Sequence, residues 1–258
     1  MSALYAQLTE FAGLGEAWLW TAALVFLRVG AALFLMPAFG EQVVPQRVRL
    51  VLALAFTAVV LPAVSDGMAD VPGTLRPAAV EVVVGLAIGI GLRLFVFALH
   101  MDAAIIAQVT SLSQLFGGST PDPQPAIGNL LTVAALALAV LAGLHVKAAS
   151  LLILSYRALP AGRFPTAADM ADWGLLQVAQ SFALAFALAA PFVIGSVVYN
   201  VALGIINRAM PQLSVILVGA PALTAASLLV MMVAVPLMLA VWLGGFDAFL
   251  LQPFRAGP

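Results

Sequence analysis

The sequence predicts an all-α, polytopic membrane-associated protein, and three observations carry that prediction. Of 258 residues, 64% are hydrophobic and only 8% charged, whereas soluble domains carry roughly 25% charged residues; mean hydropathy is +1.15. Apolar stretches close to or above the length of a membrane span recur along the whole chain. No ten-residue alternating pattern suggests a barrel, and an open sheet cannot satisfy its edge groups in lipid, so the apolar stretches read as helices.

These stretches cover residues 18–39, 50–64, 79–99, 130–155, 178–206 and 213–243. Crossing the hydrocarbon core takes about 20 residues, or about 17 at the short end. The first, third, fourth and fifth stretches meet that length, the second is marginal, and the sixth is long enough to be kinked or divided by Pro221 and Pro236. The expectation is six hydrophobic helices. Between them, 40–49 (GEQVVPQRVR) is a short charged loop that restarts a helix soon after Pro45, and 65–77 (SDGMADVPGTLRP) is a polar turn rich in breakers. Residues 161–172 (AGRFPTAADMAD) form another turn, with Thr166 or Asp169 as N-cap of the helix that follows. The tail, 252–258, is short. The N-terminal MSALYAQLTEFAGLGE lacks a basic region and carries Glu10 and Glu16 ahead of the first apolar run. It does not resemble a cleaved signal peptide, and the first hydrophobic segment is expected to stay in the mature protein.

Composition also excludes functions. With no cysteine, disulfides and thiolate metal sites are ruled out. Ten Lys and Arg against eleven Asp and Glu leave no basic face for nucleic acid. Only two histidines occur, and His100 and Asp102, two apart on a helix, point in different directions. Ser111 and Ser113 lack a nucleophile-elbow setting or an evident base. Neither catalysis nor a cofactor is expected.

Charge placement contradicts a simple bundle of spans. Lys and Arg collect in short cytoplasmic loops. Arg47 and Arg49 mark the first loop as inside, and the acidic second loop is then outside; strict alternation puts the fourth loop, with Arg157 and Arg163, outside as well. Arg28, Glu81, Arg93, Asp102, Lys147 and Arg208 moreover read as ionisable groups within the apolar segments. Many of these helices therefore face protein, as in a larger assembly. Gly85 and Gly89, extended by Ala87 and Gly91, give a small surface that admits a close neighbouring helix, from the same chain or from another subunit.

Two stretches stand out. Residues 199–221 (YNVALGIINRAMPQLSVILVGAP) set a polar knot of Asn207, Arg208, Pro211, Gln212 and Ser214 between apolar runs, although a cation in hydrocarbon costs several kcal/mol unless paired or packed in protein. Residues 111–127 (SLSQLFGGSTPDPQPAI) carry a bulky Leu115-Phe116 tip, then Gly117-Gly118 and three prolines. Glycines add freedom and prolines hold the chain extended. The segment reads either as a mobile loop with an apolar head, as a pore plug requires, or as a surface loop whose Phe116 packs on the preceding helix. The broken helix at 207–214, with Pro191, also fits a secondary transporter or permease, although no internal repeat emerges between the two halves.

These residues resemble the FliR family, the R-type export-gate subunit of bacterial flagellar type III secretion, whose injectisome relative is the T-type subunit. The similarity is carried by NVALGIINRAMPQLSVILVGAP at 200–221, by RVGAALFLMPAFGE at 28–41 with Pro45 and Arg47 after it, and by SLSQLF before the proline-rich turn. The resemblance implies a single export-gate domain over 1–258, with P-like and Q-like helices in about 1–125 and a second helical half in 126–258. It implies helical hairpins assembled into an export gate rather than a simple six-span bundle. Implied partners are the P-type and Q-type gate subunits, the B-type switch subunit, the A-type export protein, the membrane and unfolded export substrates. The implied place is the flagellar basal body in the bacterial inner membrane. Leu112, Gln114, Leu115, Phe116, Gly117 and Gly118 would form the plug loop, with Phe116 at its tip; Asn207, Arg208, Pro211 and Gln212 would shape a helix break and subunit contacts.

Overall fold

The computed structural model describes residues 2–68, 71–110, 126–209 and 215–254, and all their regular structure is helical. The helices are α1 (Ser2–Leu35), α2 (Gln46–Val64), α3 (Leu75–Thr110), α4 (Ala126–Leu141), α5 (Leu144–Ala158), α6 (Ala167–Ala209) and α7 (Val215–Leu251), with a 3-10 turn at Ser65–Met68. Among the described residues five helical stretches are long and apolar enough to cross a membrane, Ala17–Leu35, Gln46–Met68, Leu75–Val109, Ala167–Ile206 and Leu229–Leu251, and α4 with α5, bent by 74°, together would make a sixth. At 1.5 Å rise per residue, the 43 residues of α6 run to roughly 65 Å, about twice the hydrocarbon core. So α6 is more than a plain span.

Local signals explain most boundaries. Helix α2 starts directly after Pro45, whose carbonyl accepts the N–H groups of Val48 (2.9 Å) and Arg49 (3.2 Å). The Arg49 side chain ties the preceding turn, donating from Nε to the Val44 carbonyl (3.0 Å) and from Nη2 to that of Glu41 (3.1 Å). Thr166 caps α6: its Oγ1 accepts the Asp169 N–H at 3.1 Å, satisfying one of the orphan donors of the first turn.

The six-helix expectation needs correction in one place. The stretch 130–155 is two helices, α4 and α5, broken at 142–143, where Gly143 adopts a left-handed conformation (φ 84°). Its carbonyl then accepts from Val146 (3.0 Å) and Lys147 (3.1 Å) and opens α5. One glycine in an apolar run is a weak sequence signal, yet this conformation favours it. The sixth stretch, conversely, is not divided: α7 continues through Pro221 and Pro236, as α2 does through Pro62 and α6 through Pro191. Membrane-type helices tolerate proline where neighbouring groups re-satisfy the freed carbonyl.

The chain forms two compact units, one of Met1–Arg93, Val140–Leu176 and Asp247–Pro258, the other of Leu94–Ala139 and Gln177–Phe246. Each unit draws on both 1–125 and 126–258. In the first unit, Leu24, Val25, Val29 and Ala32 of α1 are buried together with Val80, Val84 and Ile88 of α3 and Leu151 and Leu152 of α5. Gly85 lies against the Arg28 carbonyl and Ala31, and Gly89 against Ala32 and Leu35. The register advances in the same sense on both helices, so α1 and α3 run parallel at this contact. In the second unit, Trp242 stacks on Phe246 (4.9 Å between rings), which meets Phe95 edge-on (5.5 Å). Trp242 Nε1 donates to the Phe95 carbonyl (2.8 Å). Two serines of α6 bond α3 backbone: Ser181 to Leu94 O (2.9 Å) and Ser196 to Val109 O (3.0 Å).

The glycine contact generates a prediction. A Cβ at Gly89 would stand 2.8 Å from the Ala32 carbonyl oxygen and 2.9 Å from the Leu35 Cβ, and one at Gly85 would overlap the Arg28 carbonyl. Gly85→Ala and Gly89→Ala should each destabilise the fold by about 1–3 kcal/mol. Gly30→Ala, whose Cβ meets nothing within 4 Å, should be neutral. Unfolding midpoints in detergent check this, and equal midpoints for all three variants would remove the close-approach role.

Candidate functional site

Most charges of the apolar segments are joined inside the first unit. Arg28 and Glu81 are both fully buried. The pair is bidentate: Arg28 Nε donates to Glu81 Oε2 at 2.6 Å and Nη2 to Oε1 at 3.2 Å. Arg28 Nη1 also reaches Ser155 Oγ (3.2 Å), Nη2 reaches the Leu159 carbonyl (3.0 Å), and the guanidinium carbon lies 3.7 Å from the Tyr156 ring centre. Glu81 Oε1 accepts the N–H of Gly162 (3.2 Å), a residue in the left-handed region (φ 71°). Burying one ion alone is prohibitive, whereas a pair with its remaining donors and lone pairs satisfied is tolerated. The arrangement binds α1, α3, α5 and the 159–162 turn at one point.

Two further pairs are partly exposed. Arg93 binds the carboxylate of Glu41, and Lys147 Nζ lies 2.7 and 2.8 Å from the two carboxylate oxygens of Asp247. Sequence reasoning singled out Arg93 and Lys147 but missed Glu41 and Asp247. Those acids sit in a loop and near the end of α7, 52 and 100 residues from their partners, with no local spacing to connect them. Asp102 differs: it is fully buried, and neither carboxyl oxygen has a hydrogen-bond partner among the described residues. His100 is exposed, so the two do not face one way. Among the described residues no group of His, Asp and Glu could hold a metal ion.

The polar signature begins anchored. Asn200 Nδ2 donates to the Ser196 carbonyl (2.8 Å) and to Ser196 Oγ (3.1 Å), the hydroxyl that bonds α3. Helix α6 continues through Asn207 and Arg208 to Ala209, and α7 begins at Val215, so any break falls at 210–214. Pro211 and Gln212 lie outside the described residues, as do Leu112, Gln114, Leu115, Phe116, Gly117 and Gly118 of the plug loop. Arg208 is exposed. It continues a row of Ile194, Val198, Val201 and Ile205, each between 58% and 66% exposed. These positions alternate four- and three-residue steps, the spacing of a seam that receives a second helix. The sequence reading missed this row, because every residue around it is apolar too and periodicity alone does not reveal which face stays uncovered.

The chain is similar to known proteins over most of its length. A family model described as bacterial export proteins, family 1, matches residues 19–249. The flagellar biosynthetic protein FliR of Caulobacter vibrioides is 36% identical over 208 residues, covering 78% of this chain and 83% of that protein. The Escherichia coli protein of the same name is 28% identical over 224 residues (82% of each chain). That of Aquifex aeolicus is 27% identical over 243 residues (91% of this chain, 92% of the relative).

Removing one member of the buried pair leaves the other charge unpaired. Arg28→Met and Glu81→Met should each cost about 3–5 kcal/mol, and the double variant should cost less than the sum of the two. A double-mutant cycle on unfolding midpoints in detergent measures the coupling. Strict additivity would mean that the pair contributes no coupling.

Proposed function

Because the chain belongs to the FliR family of flagellar export proteins, we propose that it serves as the R-type structural and gating subunit of the export gate, assembled with P-type and Q-type subunits in the bacterial inner membrane at the basal body. The observation that supports this most directly is the uncovered seam of Ile194, Val198, Val201 and Ile205 ending in Arg208. An apolar row on a helix is unfavourable in water at roughly 25 cal/mol per Å², so it requires a cover. Lipid would meet the apolar residues, but a guanidinium in the same row is costly against hydrocarbon and favourable against a partner helix offering a carboxylate or carbonyls. A protein neighbour satisfies both ends of the seam.

Gating falls to another segment. Leu112 to Gly118, with Phe116 at the tip, lies between α3 and α4 in the chain. A bulky apolar tip beside two glycines suits a plug that must fill a pore and withdraw for an unfolded chain. No step of this role is chemical: the energy for export comes from partners, and the subunit supplies shape and closure.

Two measurements test the proposal. Val201→Asp, Ile205→Asp and Arg208→Ala should each lower recovery of the P-type and Q-type subunits in copurification while leaving the unfolding midpoint of this chain unchanged; undiminished recovery by all three would overturn the seam as an interface. Deleting 115–118 should leave assembly intact and raise ion leakage through the closed gate, and an unchanged closed conductance would remove the plug role.

A further inference from the structure

A groove of about 580 Å³ opens between α1, α2 and α3 within the first unit, inside the roughly 300–1,000 Å³ range of ligand pockets. Its walls include Leu27 and Phe34 of α1 and Leu50 and Ala53 of α2, and its polar lining is Gln46 and Arg49. The charge here is uncompensated. Arg49 donates only to the carbonyl oxygens of Val44 and Glu41, the Glu41 carboxylate is taken by Arg93, and neither Arg47 nor Arg49 has an ion-pair partner among the described residues. Arg47, one residue past Gln46, is exposed.

The order of residues along α2 identifies the occupant. Gln46–Met68 is long and apolar enough to be a membrane span, and its amide and two cations come first, with the apolar wall following. A phospholipid has the same polarity: an anionic phosphate at the membrane boundary and an acyl chain running inward from it. Basic pockets between membrane helices bind anionic head groups on this principle. A partner helix would fill the apolar wall but would need an acid placed opposite Arg49, whereas each anionic lipid brings its own.

We propose that this groove is an anionic phospholipid site, with one acyl chain between α1 and α2 and the phosphate on Arg49 and Gln46. The full chain, reconstituted in vesicles, can be probed with phosphatidylglycerol carrying a photoreactive acyl chain, and with phosphatidylcholine carrying the same chain. Phosphatidylglycerol should label the 46–53 stretch several-fold more than phosphatidylcholine. Gln46→Leu should reduce that preference, Arg47→Gln, outside the groove lining, should leave it unchanged, and Leu50→Trp, which fills the groove from a half-exposed position, should abolish labelling without changing the unfolding midpoint. Arg49→Gln should act more strongly than Gln46→Leu, but Arg49 also ties the 41–44 turn, so Gln46→Leu is the variant that separates binding from folding. Equal labelling by both lipids, insensitivity to Leu50→Trp, or displacement of the label by inorganic phosphate alone would overturn the proposal. Loss of labelling when the other gate subunits are bound would overturn it too and assign the groove to a protein helix.

Discussion

A guanidinium and a carboxylate with no access to water fix the first unit. Arg28 cannot be left alone in an apolar helix, and its partners come from three other segments: Glu81 of α3, Ser155 and Tyr156 of α5, and the Leu159 carbonyl. None of these contacts is local in sequence, so α1 is satisfied only when all three segments are in place. That makes the ion pair a device of specificity more than of net stability, since an apolar replacement of similar volume can be as stable. It also explains why Gly85 and Gly89 follow Glu81 at four-residue intervals on α3. They let the α1 backbone come close enough for a bidentate contact at the head of the same helix face.

The conflict with the charge rule has a physical source in this arrangement. Gly162 faces Val71 and Pro77, so the loop bearing Arg163 shares an end of the first unit with the acidic second loop. Its cations do not set that location. The turn is held by backbone groups, the Leu159 carbonyl accepting from Arg28 and the Gly162 N–H donating to Glu81. Charge bias orients loops that are free to choose a side; a turn fixed by a buried ion pair has no such freedom.

Legibility in the sequence followed the range of the interaction. Short-range chemistry was readable: the helix restarting after Pro45 and the Thr166 cap. So was the principle that charges in apolar segments meet protein, which Arg28, Arg93 and Lys147 obey. Their partners were not readable, because Glu41, Glu81 and Asp247 are joined to them by tertiary packing alone. The break at Gly143 was hidden for a different reason. Apolar periodicity continues across it, and only the left-handed backbone at one residue separates α4 from α5. The plug loop and Pro211–Gln212 lie outside the described residues, so their assignment still rests on the family resemblance.

Taken separately, the two units differ in how completely they satisfy themselves. The first places its buried cation and carboxylate on each other and neutralises Arg93 and Lys147 within its own boundaries. The second keeps one buried carboxyl, Asp102, without a hydrogen-bond partner among the described residues, and leaves an exposed cation at the end of an uncovered apolar seam. A helix with apolar residues exposed along its length belongs inside a larger structure. The signature that identifies the family lies at the end of that helix. Val201, Ile205 and Arg208, which fall within that signature, are thus exposed on the described fold, as expected where an assembly, rather than the single chain, is the folded unit.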